Sequence, residues 1–391
     1  MTPPGRADTL RRPDGCVRLV CWIDRADDRR TGMDPIELYT PNPVADAWHD
    51  VRAPGGYEWW YFDAEDPAHD RQVVVILLQG FVFHPRYLRE YAAYLRRPTR
   101  RRPPVARDFP CAYFVVYERG RIAHQFMLQY PPADFAAATD RLDVAIGPNH
   151  ATAASDGAIR LRLRGTPWKL TWQGPQLLEG TTLTGEFTFR PKFHRRAEER
   201  TFLSRAMTGA KHHWVIANPL CDVEGDFRVF GAEAPGEGLG VRFEGRGYHD
   251  HNYGTGPLGP GLKRWIWGRA LFEDAVYTFH HAVPRDRSLP PETHLIAADA
   301  DALAALQVGV VEADWSARNA TLLRYPRTLA FDHVMRLCRP RLIDSAPFYM
   351  RLIYDAECRG RRGAAFCEVA YPHRLRWPIL GRMIEMSIAR G

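Results

Sequence analysis

The stretch RLRLRG, residues 160–165, alternates arginine with leucine, so that its side chains are charged and apolar in turn. Successive side chains of an extended chain point to opposite faces, and this alternation predicts a β-strand with one buried and one solvated face. GEFTFR, residues 185–190, shows the same pattern. Both segments indicate antiparallel β-structure, in which one face of a sheet meets water.

Further runs of strand character lie on either side of this stretch, and Gly, Pro and Asp punctuate them at short spacing. They form two consecutive sets. We therefore expect an all-β fold with two tandem antiparallel barrels or sandwiches, the first within residues 41–257 and the second within residues 258–391. The clearest runs are YEWWYFD (57–63), VVVILLQGFVF (73–83), CAYFVVYE (111–118), HQFMLQY (124–130), HHWVIAN (212–218), RWIWGRALF (264–272), AVYTFHHAV (275–283), TLLRYPRTLAF (321–331), FYMRLIYDAE (348–357) and AAFCEVAY (364–371).

Three segments depart from the strand pattern. Residues 1–40 are rich in Arg, Asp and Pro without a clear period, which predicts a flexible leader. Residues 84–110 begin in helix-compatible sequence and end in an Arg/Pro run, with arginines at 96, 97 and 100–102 that suit a solvated loop or lipid head groups. PILGRMIEMSIAR (378–390) predicts a short amphipathic C-terminal helix that packs on a barrel or, less expectedly, contacts a membrane.

Composition and charge exclude several classes of protein. The chain has 391 residues, 45% of them hydrophobic and 12% aromatic, which suits a strand-rich globular protein with a pocket for a large apolar ligand. The net charge is +7, but no nucleic-acid-binding motif accompanies it, so no nucleic-acid partner is expected.

The cysteines and the hydrophobic runs indicate in which cellular compartment the protein is expected. Seven cysteines are widely spaced and form no C-x-x-C pair, so neither a disulfide framework nor a zinc ribbon is expected. The N-terminal residues lack the apolar core of a signal peptide, and the longest apolar run, near residues 73–83, is too short to span a bilayer. We expect a cytoplasmic protein that is at most peripheral to the inner face of a membrane.

The motif GYHDHNYG, residues 247–254, concentrates reactive side chains. His249 and Asp250, with His251 or with the histidines of HHW (212–214), are the ligand types of a two-histidine, one-carboxylate iron site. In a strand, however, His249 and His251 face away from Asp250, and no third ligand at a familiar spacing completes the set. No metal is therefore expected. A polar turn, capped by Asp250 and Asn252 between two glycines, is the plain structural alternative.

Acid–base chemistry is the third interpretation of the motif. Tyr248 and Asp250 are two residues apart and share one face of a strand. If that face lines an apolar cavity, the pKa of Asp250 rises, and a carboxylic acid becomes available near neutral pH. His212 and Trp214 share a face of their own strand, where an indole beside the acid would stabilise a developing cation.

Taken together, GGYEWWYFD (55–63), HHW (212–214), GRGYHDHNYG (245–254) and RWIWGR (264–269) resemble the carotenoid 1,2-hydratase family, also called hydroxyneurosporene synthases. The resemblance extends from about residue 50 to the C-terminus. It implies two lipocalin-like β-barrel domains and a cofactor-independent addition of water to the terminal C1=C2 double bond of an acyclic carotenoid, of the lycopene or neurosporene type.

The resemblance also assigns residues. It implies that Asp250 is the catalytic acid and that His212, Trp214 and Tyr248 accompany it. The remaining candidates are expected to contact the substrate or to control the entry of water, although the Trp residues of EWWYFD also suit a barrel core and Glu58 needs a partner if it is buried. These candidates are Trp59, Trp60, Glu58, Trp265, His249, His251 and Asn252.

Two other functions fit the same fold. A lipocalin-like cyclase or pericyclase would use Asp250 on a polyene or isoprenoid without adding water. A non-catalytic carrier would hold an apolar lipid or pigment and would not need Asp250. The mass of the product separates hydration from cyclisation, and an Asp250→Asn variant separates an enzyme from a carrier.

Overall fold

The computed structural model describes residues 35–38, 43–172, 174–192, 200–202, 212–231, 234–258, 261–299 and 303–391. The predicted leader, residues 1–40, lies outside these residues except for one short strand. Numbered in chain order, the strands of the N-terminal part are β1 Pro35–Leu38, β2 Tyr57–Asp66, β3 Arg71–Gln79, β4 Cys111–Glu118, β5 Arg121–Gln129, β6 Phe135–Ala137, β7 Asp143–Ile146, β8 Asn149–Ala153, β9 Ile159–Gly165, β10 Trp168–Thr171, β11 Gly174–Leu177, β12 Thr181–Pro191, β13 Arg200–Phe202, β14 His212–Gly231 and β15 Ala234–Gly254.

The C-terminal part continues with strands. They are β16 Leu262–Leu271, β17 Ala275–Pro284, β18 Glu292–Asp299, β19 Leu303–Leu306, β20 Val310–Trp315, β21 Pro326–Phe331, β22 Met335–Ala346, β23 Tyr349–Cys358, β24 Arg361–Ala370 and β25 Ala389–Arg390. Two α-helices accompany the strands. They are α1 Pro85–Arg96 and α2 Pro378–Met386.

Most of the strands form two large sheets, while β1 pairs with β13 and β10 pairs with β11 in two separate two-stranded sheets. The first sheet has the order β25-β5-β4-β3-β2-β15-β14-β12-β9-β8-β7-β6, and the second has the order β19-β18-β17-β16-β24-β23-β22-β21-β20. Their pairings are antiparallel except that of β25 with β5, which is parallel. The prediction of a mostly β fold built from two consecutive antiparallel sheets is confirmed, whereas the predicted domain limits remain a prediction.

Each sheet curls around its own apolar face. In the first sheet, Phe114 of β4 packs against Phe187 of β12, with ring centroids 5.9 Å apart, although four strands lie between them. In the second sheet, Phe279 of β17 packs against Phe331 of β21 across 4.7 Å, again with four strands between. A flat sheet would hold such residues far apart, so both sheets are curved like parts of a barrel.

The alternating segments behave as their pattern predicts. In β9 the burial alternates strictly, with Ile159, Leu161 and Leu163 buried and the intervening arginines exposed. The motif at 247–254 is not a turn, because it forms the end of the long strand β15. The turn interpretation of Asp250 and Asn252 is therefore wrong.

Two predicted helical segments are present. Helix α1 covers the helix-compatible start of the 84–110 segment, and the arginine-rich stretch 96–102 that follows is exposed. Helix α2 begins at Pro378 and buries Leu380 and Ile384. Among the described residues no helix has the length and apolarity needed to cross a membrane.

Two large core clusters are present among the described residues, and a smaller one contains Leu220, Leu271 and Val276. The first lies on the concave side of the first sheet and contains Trp60, Phe62 and Phe114 among others. The second combines Tyr57, Trp59 and Tyr61 of β2 with residues of the second sheet and of α2. Because β2 alternates, its even-numbered residues enter the first cluster and its odd-numbered residues enter the second. The second cluster, hereafter the inter-sheet core, lies between the two sheets.

Candidate active site

The strand β15 distributes the GYHDHNYG motif over two faces. Tyr248 and Asp250 lie on the face that meets the inter-sheet core, and His249 and His251 lie on the opposite face. Asp250 is paired in register with Tyr61 of β2. The chain needs glycine at 247, because a Cβ there would lie 2.7 Å from the backbone oxygen of Asp63. The close packing of β15 on β2 thus fixes the position of the acid.

Asp250 is buried and accepts three hydrogen bonds. Its Oδ2 accepts one from Trp214 Nε1 at 2.8 Å and one from the Tyr248 hydroxyl at 2.9 Å. Its Oδ1 accepts one from Asn252 Nδ2 at 2.7 Å. A carbonyl oxygen has two lone pairs, and both are occupied on Oδ2. The hydroxyl proton of a neutral carboxyl group is therefore carried by Oδ1.

The surroundings of Asp250 favour the neutral acid. Burial raises the pKa of the Asp250 carboxyl to about 7, while the hydrogen bonds from Trp214 and Tyr248 oppose that rise. The charge of His249 also lowers the pKa, and that of Glu368 raises it. Desolvation dominates because the charged form loses more hydration than three neutral donors return. At neutral pH the carboxyl group carries its proton in an appreciable part of the molecules.

Aromatic rings cover the acid from both sheets. Trp267 of β16 packs against Tyr61 and Tyr248, with ring centroids 5.0 and 5.4 Å apart. All three side chains are buried. Trp267 of the second sheet thus packs on the two tyrosines of the first sheet that lie beside Asp250 in the inter-sheet core.

A second group of rings adjoins this one along the same face. His212 Nδ1 is hydrogen-bonded to the Tyr57 hydroxyl at 2.7 Å. Trp59 and Trp265 pack at 6.5 Å, and each lies about as close to the His212 ring. Burial lowers the pKa of His212 to about 3, so this imidazole is neutral. The predicted residues Trp59, Trp265 and His212 are thus brought together beside Trp214.

His280 is a buried member of this group that the sequence analysis did not single out. It lies on β17, with its ring 6.0 Å from Trp214 and 5.4 Å from Trp265. Its Nε2 is buried without a hydrogen-bond partner, and burial lowers its pKa well below the ordinary value. The adjacent histidines in AVYTFHHAV were the available signal, since alternation turns one of them toward the core.

The structure separates several other predicted site residues from Asp250. Trp60, Glu58 and His249 lie on the opposite face of their strands, inside the first sheet. There the Trp60 indole donates to the backbone oxygen of Asp46, and His249 Nε2 lies 2.9 Å from Asp46 Oδ2. Adjacent residues of a strand cannot share a face, so EWWYFD divides between the two cores.

One of the two carboxylate oxygens of the buried Glu58 has hydrogen-bond partners, while Oε2 is buried without one. Its Oε1 is 3.0 Å from His49 Nδ1 and 3.0 Å from His251 Nε2, and it accepts a hydrogen bond from the backbone N–H of His49 at 2.8 Å. Although burial alone would raise the pKa of Glu58, the hydrogen bonds from His251 and His49 bring it below its ordinary value. Glu58 is therefore an anion held within the first sheet.

The same three side chains are of the kind that bind metals. Within the described residues, His49, Glu58 and His251 have ligand atoms within 4.8 Å of one another. Those atoms already hydrogen-bond to each other, which accounts for their proximity. The iron face considered from His249 and Asp250 is not assembled, because the two side chains point to opposite sides of β15.

Buried charges from the second sheet complete the region, and the sequence analysis did not single them out. Arg351 is almost fully buried and donates to the hydroxyls of Tyr113 and Tyr117 of the first sheet. It also donates to Glu368 at 3.0 Å, which in turn accepts from Tyr61 at 3.4 Å. These bonds connect the second sheet to β2 and β4.

Comparison with known proteins agrees with this arrangement. Residues 149–391 match the family model described as carotenoid hydratase CrtC. A hydroxyneurosporene dehydrogenase of Chlorobaculum tepidum is 29% identical over 269 residues, which are 66% of this chain and 65% of that protein. An acyclic carotenoid 1,2-hydratase of Rhodobacter capsulatus is 27% identical over 270 residues, which are 62% of this chain and 88% of that protein.

The fold is also found in a solved structure. The crystal structure of a putative AttH from Nitrosomonas europaea superposes with a TM-score of 0.55 at 16% identity, covering 86% of this chain and 97% of that chain. At that identity the likeness concerns the fold alone. The family model, by contrast, spans more than half of the sequence, including HHW and GYHDHNYG, and the chain therefore belongs to the carotenoid hydratase CrtC family.

Proposed function

We propose that this protein adds water to the terminal C1=C2 double bond of an acyclic carotenoid, with Asp250 as the proton donor. The observation that carries the proposal is the Asp250 carboxyl group itself. It is buried, its Oδ2 is held by Trp214 and Tyr248, and its pKa is raised to about 7 by burial. The names of the curated relatives support a carotenoid as substrate.

The proposed reaction proceeds in two steps. The π electrons of C1=C2 take the proton from Asp250 Oδ1, so that a C2–H bond forms and C1 becomes a tertiary cation. Water then forms a C–O bond with C1, and the surplus proton of the resulting oxonium returns to the Asp250 carboxylate. The sum is one alkene and one water converted into one tertiary alcohol, with the acid regenerated.

The neighbouring side chains have distinct parts in this scheme. Trp214 and Tyr248 orient the carboxyl group, and their hydrogen bonds stabilise the carboxylate that remains after proton transfer. The rings of Tyr61 and Trp267 both pack against that of Tyr248, and we assign to them the stabilisation of the cation through their π electrons. The neutral His212 has its Nδ1 bonded to the Tyr57 hydroxyl, and we assign to its other nitrogen, Nε2, the positioning of the attacking water.

Turnover by purified protein tests the proposal. Wild-type protein is supplied with a lycopene-type carotenoid in detergent micelles, and the product is analysed by mass spectrometry. We expect a product heavier than the substrate by one water. A product of unchanged mass would overturn hydration in favour of cyclisation.

The Asp250→Asn variant then separates an enzyme from a carrier. Asn keeps the shape of the side chain but has no acidic proton, so we expect turnover to fall by about a thousandfold or more while pigment binding, followed by its absorbance, is retained. A variant that still turns over at the wild-type rate would remove Asp250 from the reaction.

A further inference from the structure

One surface of the protein is apolar where a soluble protein is normally polar. Helix α2 buries Leu380 and Ile384, yet its outward face carries Ile379, Met383 and Met386, which are 68, 47 and 56% exposed. A surface helix ordinarily places charged and polar residues on that side. An apolar outward face indicates a partner that removes it from water.

The hairpin of β10 and β11 continues this surface. Trp172, at its turn, is 92% exposed, and Leu170 of β10 is 73% exposed. The hairpin lies against the end of α2, since the Met386 Cε is 2.9 Å from the position that a Cβ on Gly174 would occupy. We call the exposed apolar side chains of α2 and of this hairpin the apolar platform. Its members are Leu170, Trp172, Leu177, Ile379, Met383 and Met386.

The charges around the platform have one dominant sign. Arg376, Arg382 and Arg390 are exposed within or beside α2. The acidic Glu385 of α2 is neutralised by Arg89, whose guanidinium donates to both of its carboxylate oxygens at 3.1 Å. These three arginines outnumber Glu179, the exposed acid that follows β11, so the border of the apolar platform has an excess of positive charge and complements an anionic surface.

We propose that the apolar platform docks this protein on an anionic lipid bilayer. An exposed tryptophan and short apolar side chains edged by arginines are suited to the boundary between head groups and acyl chains. A helix of nine residues is too short to cross a bilayer and lies in its surface. A second copy of the chain would bring arginines against arginines, which disfavours a symmetric dimer through this face.

The platform is also connected to the candidate active site. Ile384 belongs to the inter-sheet core, together with Tyr61, Tyr248 and Trp214. Helix α2 thus has one face toward the proposed bilayer and the other in the core that surrounds Asp250. The docking on a bilayer does not depend on the proposed function, but the delivery of substrate along α2 does. A long apolar substrate would pass from lipid to Asp250 beside α2 without entering water.

Vesicle binding tests the docking surface without any turnover. Wild-type protein is sedimented with vesicles of phosphatidylcholine alone or mixed with phosphatidylglycerol. We expect binding to the mixed vesicles, and about a tenfold weaker partition for the Trp172→Ser and the Ile379→Ser, Met383→Ser variants, because each loses buried apolar area. Leu289→Ser, at a 50% exposed leucine between β17 and β18, is the matched control and should bind like wild type.

Fluorescence quenching by brominated lipid locates the contact. Trp172 and Trp377, the latter 42% exposed at the start of α2, both lie at the platform. Quenching should be present in wild type, weaker in Trp172→Phe, and largely lost when Trp377 is also replaced by Phe, while these variants still sediment with the vesicles. Circular dichroism of each variant verifies folding. Absence of wild-type binding to anionic vesicles, or equal binding by all variants, would overturn the docking surface. So would a dimer, observed by ultracentrifugation, that only the platform variants dissociate.

Discussion

Asn252 Nδ2 donates a hydrogen bond of 2.7 Å to Oδ1 of Asp250, the carboxyl oxygen that Trp214 and Tyr248 do not contact. Each of the two oxygens of the buried acid therefore has a defined role. Oδ2 accepts hydrogen bonds from the Trp214 indole N–H and from the Tyr248 hydroxyl. Oδ1 is therefore the oxygen that carries and releases the proton.

Replacing Asn252 by leucine should release Oδ1 without adding a charge. We expect kcat to fall about tenfold with little change in KM, because the proton-bearing oxygen is no longer oriented. Loss of a donor to the carboxylate should also move the alkaline limb of the kcat profile to higher pH. The control is Asn149→Leu, which removes a buried asparagine that donates to Tyr130. This variant should be less stable, but the alkaline limb of its kcat profile should lie at the same pH as in wild type.

The pH dependence of wild-type turnover should report the Asp250 carboxyl group. Its pKa is raised by burial to about 7, and the protonated form is the active one. The rate should therefore be constant below that pKa and fall about tenfold per pH unit above it. A rate that instead increases from pH 6 to pH 8 would show that the carboxylate, not the acid, is the active form.

A Trp214→Phe variant should separate the hydrogen bond from the ring. The phenyl group keeps an aromatic face but has no N–H for Oδ2, so we expect the pKa of Asp250 and the alkaline limb to rise by about one unit. Trp60→Phe is the matched control, since Trp60 Nε1 donates to Asp46 on the opposite face of β2. An identical profile for the two variants would contradict the placement of Trp214 at the acid.

The buried Arg351 should contribute far more to stability than an exposed arginine at the same boundary. Arg351→Met removes the donor to two tyrosine hydroxyls and leaves the Glu368 carboxylate without its cationic partner. We expect the free energy of unfolding to fall by about 3–5 kcal/mol. Arg341→Met removes a surface pair with Asp70 and should cost about 1 kcal/mol or less.

Urea denaturation measures both free energies of unfolding. Both arginines extend from β22 or β23 to the first sheet, so the comparison separates burial from position. Equal losses in the two variants would mean that the buried network does not hold the two sheets together.

The alternation of polar and apolar residues was sufficient to predict which segments form strands. It also predicted which residues of one strand lie on the same face. RLRLRG shows its buried leucines, and the spacing of Tyr248 and Asp250 already places both on one face. The same rule sends His249 and Trp60 to the other side. Their expected contact with substrate depended on motif membership, which does not distinguish the two faces of a strand.

Only the tertiary structure shows what faces Asp250. Trp267 and His280 come from strands of the second sheet, and their contacts with Tyr248 and Trp214, the partners of Asp250, depend on how two curled sheets pack. Local periodicity determines which side of a strand is buried, because it follows from backbone geometry. It cannot identify the opposing side chains, because these are determined by contacts between distant segments, and the raised pKa of the acid depends on those contacts.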